Sequence, residues 1–151
     1  MMTRPILFAT FGSIAVLAGA FGFQHLGGLA PCEMCIWQRW PHVAAINIGL
    51  IILFTGDEKL SWFGALATLT TAAIGMFHVG VEQNWWDGPI TCSAGGVSKL
   101  SAQELMDQIL TAPLVRCDDI AWQLAGISMA GWNAILSLCL TALWIKAARD
   151  A

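Results

Sequence analysis

Charge is what this sequence has least of. Asp, Glu, Lys and Arg make up 11% of the 151 residues, while 57% are hydrophobic. An ordinary soluble domain carries about 25% charged residues. A water-soluble fold of this length would be left with large exposed apolar patches. The net charge is only -3 and no block of like charge occurs, so nothing here suggests a nucleic-acid partner. A glycine-rich phosphate loop is also missing. So is a second C-x-x-C to complete the paired pattern of a structural zinc site.

In place of charge there are long apolar runs. The first, Pro5 to Leu26, holds no charged residue, and others begin near Pro41, Trp62 and Trp122. A helix spans a bilayer with roughly 20 mainly apolar residues. In hydrocarbon the backbone must bond within its own segment, so these runs are helices. The predicted fold is all-α: a membrane four-helix bundle forming one integral membrane domain over residues 1–151. The spans fall at 5–26, 38–56, 62–81 and 122–145, with loops at 27–37 and 82–121. The first run is too long for the apolar core of a signal peptide, and the chain keeps returning to the membrane after it.

Arg4, Lys59, Lys146 and Arg149 fall on one side of such a bundle, and Arg39, Lys99 and Arg116 on the other. The loop after the first run has no Lys or Arg before Arg39. By the positive-inside rule both termini are placed in the cytoplasm. The paired Trp85 and Trp86 read as an interface anchor. In the long outer loop, Ser101 and Glu104 form a capping box. Leu105, Met106, Ile109 and Leu110 then share one face of a short helix that stops before Pro113. It is too short to span and is predicted to lie at the membrane surface.

The chemistry gathers in Pro31-Cys32-Glu33-Met34-Cys35 and Arg39. A C-x-x-C pair is a redox dithiol or half of a metal site. A cation one helical turn past Cys35, with a helix N-terminus nearby, favours Cys35 as the thiolate. Pro41 leaves two options: a helix that starts near Arg39, or a kink there. His25, His42 and His78 all map to outer helix ends. Cys92 and Cys117 share the outer loop and form a second disulfide candidate, either redox-active or a structural staple. Cys139 falls within the last run and reads as an inert buried thiol. Met129 and Trp132 read as packing, or as the wall of a pocket for a flat apolar ligand. In the first helix Gly12 and Gly19 suit close packing. Two cysteine pairs on one side of a membrane fit a relay of dithiol exchange better than a metal site.

These residues resemble the DsbB family of membrane disulfide-bond formation proteins, over nearly the whole chain. The resemblance rests on Pro31-Cys32-x-x-Cys35, Arg39, His78, Cys92, Cys117 with Trp122 five residues on, and the run of Gly126, Met129 and Trp132. The family's best-known members carry Glu before the arginine, where this chain has Gln38. The resemblance implies a thiol:quinone oxidoreductase of the bacterial inner membrane, with its redox cysteines in the periplasm. Its partners would be the lipid bilayer and a periplasmic thioredoxin-fold protein of the DsbA type. Cys92 would be attacked by that partner, Cys117 would resolve toward Cys32, and Cys35 would pass electrons to ubiquinone or menaquinone. Arg39, His78 and Met129 would line the quinone pocket, and no metal is implied. Two other classes stay in view: a metal- or haem-binding module, and a scaffold held by two structural disulfides.

Overall fold

A computed structural model describes residues 4–89, 92, 101, 103, 106, 107, 110 and 115–151. Its framework is four helices: α1 (Arg4–His25), α2 (Glu33–Thr55), α3 (Ser61–Glu82) and α4 (Met129–Asp150). Each has 22 or 23 residues, or about 33 Å at 1.5 Å per residue. Three of them, α1, the run Glu58–Glu82 and α4, are long and apolar enough to cross a membrane. The fourth, α2, matches them in length but carries Gln38, Arg39 and His42 in its first half.

Local chemistry sets the helix ends, and twice it moves them from where apolarity alone puts them. Helix α2 begins at Glu33, before residue 38, because Cys32 serves as its N-cap. Cys32 is extended (φ -74°, ψ 169°) and its sulfur accepts from Cys35 N at 3.2 Å. The helix then runs through Pro41, so Cys35 and Arg39 lie within it. It ends at Gly56, whose φ of 71° is the left-handed conformation glycine adopts freely.

Helix α4 starts at Met129 and not at 122, and it ends at Asp150 beyond 145. Residues 122–128 are apolar enough to read as helix, but Ala125 (φ 54°) and Gly126 (φ 77°) turn the chain back. Two successive positive φ values match the tight turn of a two-residue hairpin. The strands β1 (Gln123–Leu124) and β2 (Ile127–Ser128) pair across it. Ser128 then caps α4 by accepting from Gly131 N at 3.2 Å. The surface helix expected between Ser101 and Pro113 lies largely outside the described residues.

Helix α1 packs on α2 and α4, and α3 packs on the same two from the other side. One core cluster, near the chain termini, joins Ile6, Ala9, Ile52, Ala65, Trp144 and Ala147. The other, at the opposite end, joins Cys32, Met34, Val81, Cys92 and Cys117. Between them lies a buried polar layer: Gln38, His42, Thr68, Thr71, Ser137 and Thr141. Large apolar side chains such as Phe8 (65% exposed) and Phe54 (85%) point outward, which suits lipid and not water. Cys139 is exposed as well, and is not the buried thiol expected.

Close approach explains some of the glycines. A Cβ on Gly64 would meet the Trp144 ring at 2.5 Å, whereas one on Gly22 would meet nothing within 4 Å. Gly64→Ala is therefore expected to destabilise the protein by about 1–3 kcal/mol through overpacking, with Gly22→Ala near neutral. Unfolding of both variants by SDS titration in detergent micelles checks this, and equal stability of the two would contradict it.

Candidate dithiol site and adjoining cavity

The cap geometry of α2 brings Cys32 and Cys35 together on one turn. Their sulfurs lie 2.6 Å apart, and both cysteines are free. Three effects push the Cys32 thiol well above its ordinary value: its hydrogen bond to Cys35, its burial, and the charge on Cys35. Of the two sulfurs, Cys32 thus holds its proton more tightly.

Cys92 and Cys117 form a disulfide with Cα atoms 5.3 Å apart. Both are fully buried, where the sequence suggested a pair open to partners. The reason is docking: the disulfide packs into the same cluster as Cys32, Met34 and Val81. Backbone bonds hold it, Cys117 N to Cys92 O at 2.7 Å and Cys92 N to Pro89 O at 2.8 Å. Beside it, the Arg116 guanidinium holds the Asp118 carboxyl below the usual carboxylate range.

His78 of α3 stands between the two pairs. Its Nε2 is 3.7 Å from Cys32 Sγ and 3.2 Å from the Cys117 carbonyl. Gln38 fixes which nitrogen carries the proton. The Gln38 amide nitrogen donates to Met34 O at 3.3 Å and to His78 Nδ1 at 2.9 Å. Its oxygen accepts from Asn133 Nδ2 at 2.7 Å. With Nδ1 accepting, the His78 proton sits on Nε2 and points at the Cys117 carbonyl and the Cys32 sulfur.

Sequence reading missed several residues of this site. Glu82, buried one turn below His78, lies 3.9 Å from its Nε2 and accepts from Ser128 Oγ at 2.5 Å. Asn133 donates to Gln38, and its Oδ1 faces His42 Nε2 at 3.0 Å. Polar groups inside apolar runs are costly and usually carry a role. The His-x-x-x-Glu spacing on α3 and the lone Asn133 of α4 were the available signals.

A cavity of about 550 Å³ opens beside Cys35. Arg39, Met129, Trp132 and Cys139 line it, with Gly12, Ala15, Gly19 and Ala20 of α1 as a wall of small residues. Arg39 is held there by a 2.6 Å bond to Gln24 Oε1 and by the Phe21 ring, 4.9 Å from its guanidinium carbon. His78 does not line this cavity. It lines a smaller one of about 60 Å³, together with Cys32, Cys35, Arg39, Glu82 and Met129. The ligand atoms of Cys32, Cys35 and His78 also lie within 4.8 Å of one another, near enough to share one metal ion. His25, at the end of α1, stacks on Phe21 and joins neither group.

The family model of disulfide bond formation protein DsbB matches residues 3–147. The disulfide bond formation protein B of Hahella chejuensis is 29% identical over 95% of this chain and 92% of its own. That of an Azoarcus species is 31% identical over 94% and 91%, and that of Albidiferax ferrireducens 29% over 97% and 90%. No solved structure matches.

The Gln38 amide makes a direct prediction. In Gln38→Glu no N–H remains to face His78 Nδ1, so the His78 proton is expected to move to Nδ1. Nitrogen NMR of histidine-labelled protein reads the tautomer, and unchanged His78 resonances would show that Gln38 does not set it.

Proposed function

The chain belongs to the DsbB family of disulfide bond formation proteins, and on that footing we propose that it is a thiol:quinone oxidoreductase that reoxidises a periplasmic DsbA-like thioredoxin-fold protein. One observation carries this reading. A single dithiol stands between a docked disulfide on one side and a large apolar cavity on the other.

The relay runs as ordinary thiol–disulfide exchange. A partner thiolate attacks Cys92, forming a mixed disulfide and releasing Cys117 as thiolate. The partner's second thiol attacks that mixed disulfide, leaves oxidised, and frees Cys92. Cys117 attacks Cys32 of the oxidised inner pair and releases Cys35. Cys92 then attacks Cys117, restores the outer disulfide and frees Cys32. The inner dithiol now holds the two electrons and two protons that came from the partner. Quinone, as second substrate, takes both pairs and leaves as quinol, and the Cys32–Cys35 disulfide re-forms. An inner pair reduced and an outer pair bonded is the state that precedes this last step.

The chain's own groups fit these tasks. The His78 Nε2–H, aimed at Cys32, steadies negative charge on that sulfur during exchange. The Cys117 carbonyl on the same N–H keeps the outer pair in register with Cys32. Arg39 offers a fixed cation to a quinone oxygen at the cavity mouth, and Met129 and Trp132 offer flat apolar contact. The outer disulfide must undock before a partner can reach Cys92. Ubiquinone and menaquinone both suit such a cavity. All four helices span the bacterial inner membrane in this reading, with the termini cytoplasmic and the four redox cysteines periplasmic.

The trio of Cys32, Cys35 and His78 favours a second reading, a soft-metal site. Elemental analysis of the reduced, purified protein separates the two, since that reading requires metal in stoichiometric amount.

Turnover tests the relay. The detergent-solubilised protein, given a reduced DsbA-like partner and a short-chain ubiquinone or menaquinone, is expected to bleach the quinone absorbance. Cys35→Ser and Cys92→Ser both abolish this. With dithiothreitol in place of the partner, Cys92→Ser recovers quinone reduction and Cys35→Ser does not. Identical behaviour of the two variants with dithiothreitol would contradict the order of the relay.

A further inference from the structure

Cys32, Cys35, His78 and Glu82 have the make-up of a metal site. The ligand atoms of the first three lie within 4.8 Å of one another, and Glu82 Oε1 is 3.9 Å from His78 Nε2. Ser128 occupies the other Glu82 oxygen. Thiolate, imidazole and carboxylate are the ligands zinc takes, four at a time, at roughly 2.0–2.3 Å. A cation at such distances fits between His78 Nε2 and Cys32 Sγ, which are 3.7 Å apart. All four residues line the small cavity, and so do Arg116 and Asp119, whose side chains are 44% and 72% exposed. The cavity therefore leads from the surface to the sulfurs, and Cys35 is itself only half-buried.

What the four residues lack is a lone pair on His78 Nε2. The polarity of the surrounding bonds follows from two backbone carbonyls, which only accept. Thr71 Oγ1 donates its single hydrogen to Gln38 O at 2.9 Å. Toward Asn133 it can then only accept, so the Asn133 amide nitrogen faces it at 3.1 Å. That nitrogen also meets the Gln38 side chain at 2.7 Å, which must present its oxygen. The Gln38 nitrogen is left to face Met34 O at 3.3 Å and His78 Nδ1 at 2.9 Å, and it donates to both. Because Nδ1 accepts, Nε2 keeps the proton. A histidine that holds a metal has the opposite polarity. Its outer ring N–H donates to a carboxylate or carbonyl, and its inner nitrogen is bare.

We propose that Gln38 is a positioning residue that keeps soft divalent cations, zinc foremost, out of the reduced dithiol. It acts through His78, by holding a proton where the cation would bind. Thiophilic cations bind vicinal thiolates, and a bound cation would occupy both sulfurs. With His78 withheld, the site falls short of four ligands. This inference goes beyond the redox relay and stands on the geometry whether or not quinone is the acceptor. It runs against the soft-metal reading, which needs His78 as a ligand.

Cadmium, whose bonds to thiolate absorb in the ultraviolet, is the probe. The full chain carries Cys92→Ser, Cys117→Ser and Cys139→Ser, so that only the inner pair offers sulfur, and is titrated under argon. Adding Gln38→Glu is expected to tighten cadmium binding about 10–100-fold, the weight of the group behind a metal-binding histidine. Adding His78→Ala as well is expected to remove that gain. Equal affinity with and without Gln38→Glu, or a gain that survives His78→Ala, would overturn the proposal. The unsubstituted protein gives an independent reading. With its inner pair reduced, nitrogen NMR of the histidine-labelled chain is expected to show His78 Nε2 protonated and unmoved by an equivalent of cadmium. Loss of that proton to cadmium would overturn the proposal even if Gln38→Glu fails to fold.

Discussion

One amide side chain joins three helices of this protein. Gln38, on α2, donates to His78 of α3 and accepts from Asn133 of α4. Between hydrocarbon and packed protein no water competes for such groups, so each must find its partner within the bundle. The result is a network with fixed polarity. It sets His78 as a donor beside the dithiol. Thr71 extends it by donating to the Gln38 backbone carbonyl at 2.9 Å. Replacing any member orphans a buried group, a cost of about 1–3 kcal/mol each. A network of this kind rigidifies the site it passes through.

Around this layer the two ends of the molecule differ in purpose. The end near the termini is an apolar core built on Trp144, with glycine and alanine letting the helices close on it. The other end holds sulfur. Four cysteines, one buried histidine and one buried carboxylate lie there within a few side chains of each other. In the proposed relay the stability of the first end leaves the second free to react. Disulfide exchange needs sulfurs that approach and part, and the scaffold beneath them does not have to move with them.

Much of this was legible in the sequence, for reasons that can be named. Apolar runs announce helices because hydrocarbon permits little else. C-x-x-C announces a dithiol because three residues make nearly one turn and bring the sulfurs together. The long-range pairings were not legible. Nothing in the spacing of Gln38, His78, Asn133 and His42 reveals that they share one chain of hydrogen bonds, since α2, α3 and α4 meet only on folding. Helix starts were misjudged where a single cap outweighed composition, at Cys32 and at Ser128. The burial of the Cys92–Cys117 disulfide was hidden for the same reason, because docking depends on partners far away in the chain. Gln38 drew notice only as a departure from the carboxylate seen in the family's best-known members. Its value as an amide, able to donate and accept at once, becomes plain only beside its neighbours.

The cap of α2 has a consequence of its own. In the proposed relay the sulfur that accepts from Cys35 N also enters and leaves disulfides. A helix N-cap contributes about 0.5–2 kcal/mol. When Cys32 takes a new sulfur partner its side chain must turn, and that contribution is at stake. In that relay, electron transfer and the winding of the first turn of α2 are linked through one atom. The opening turn of the helix would then work as a small spring, tight while Cys32 caps it and looser while the relay joins Cys32 to Cys117.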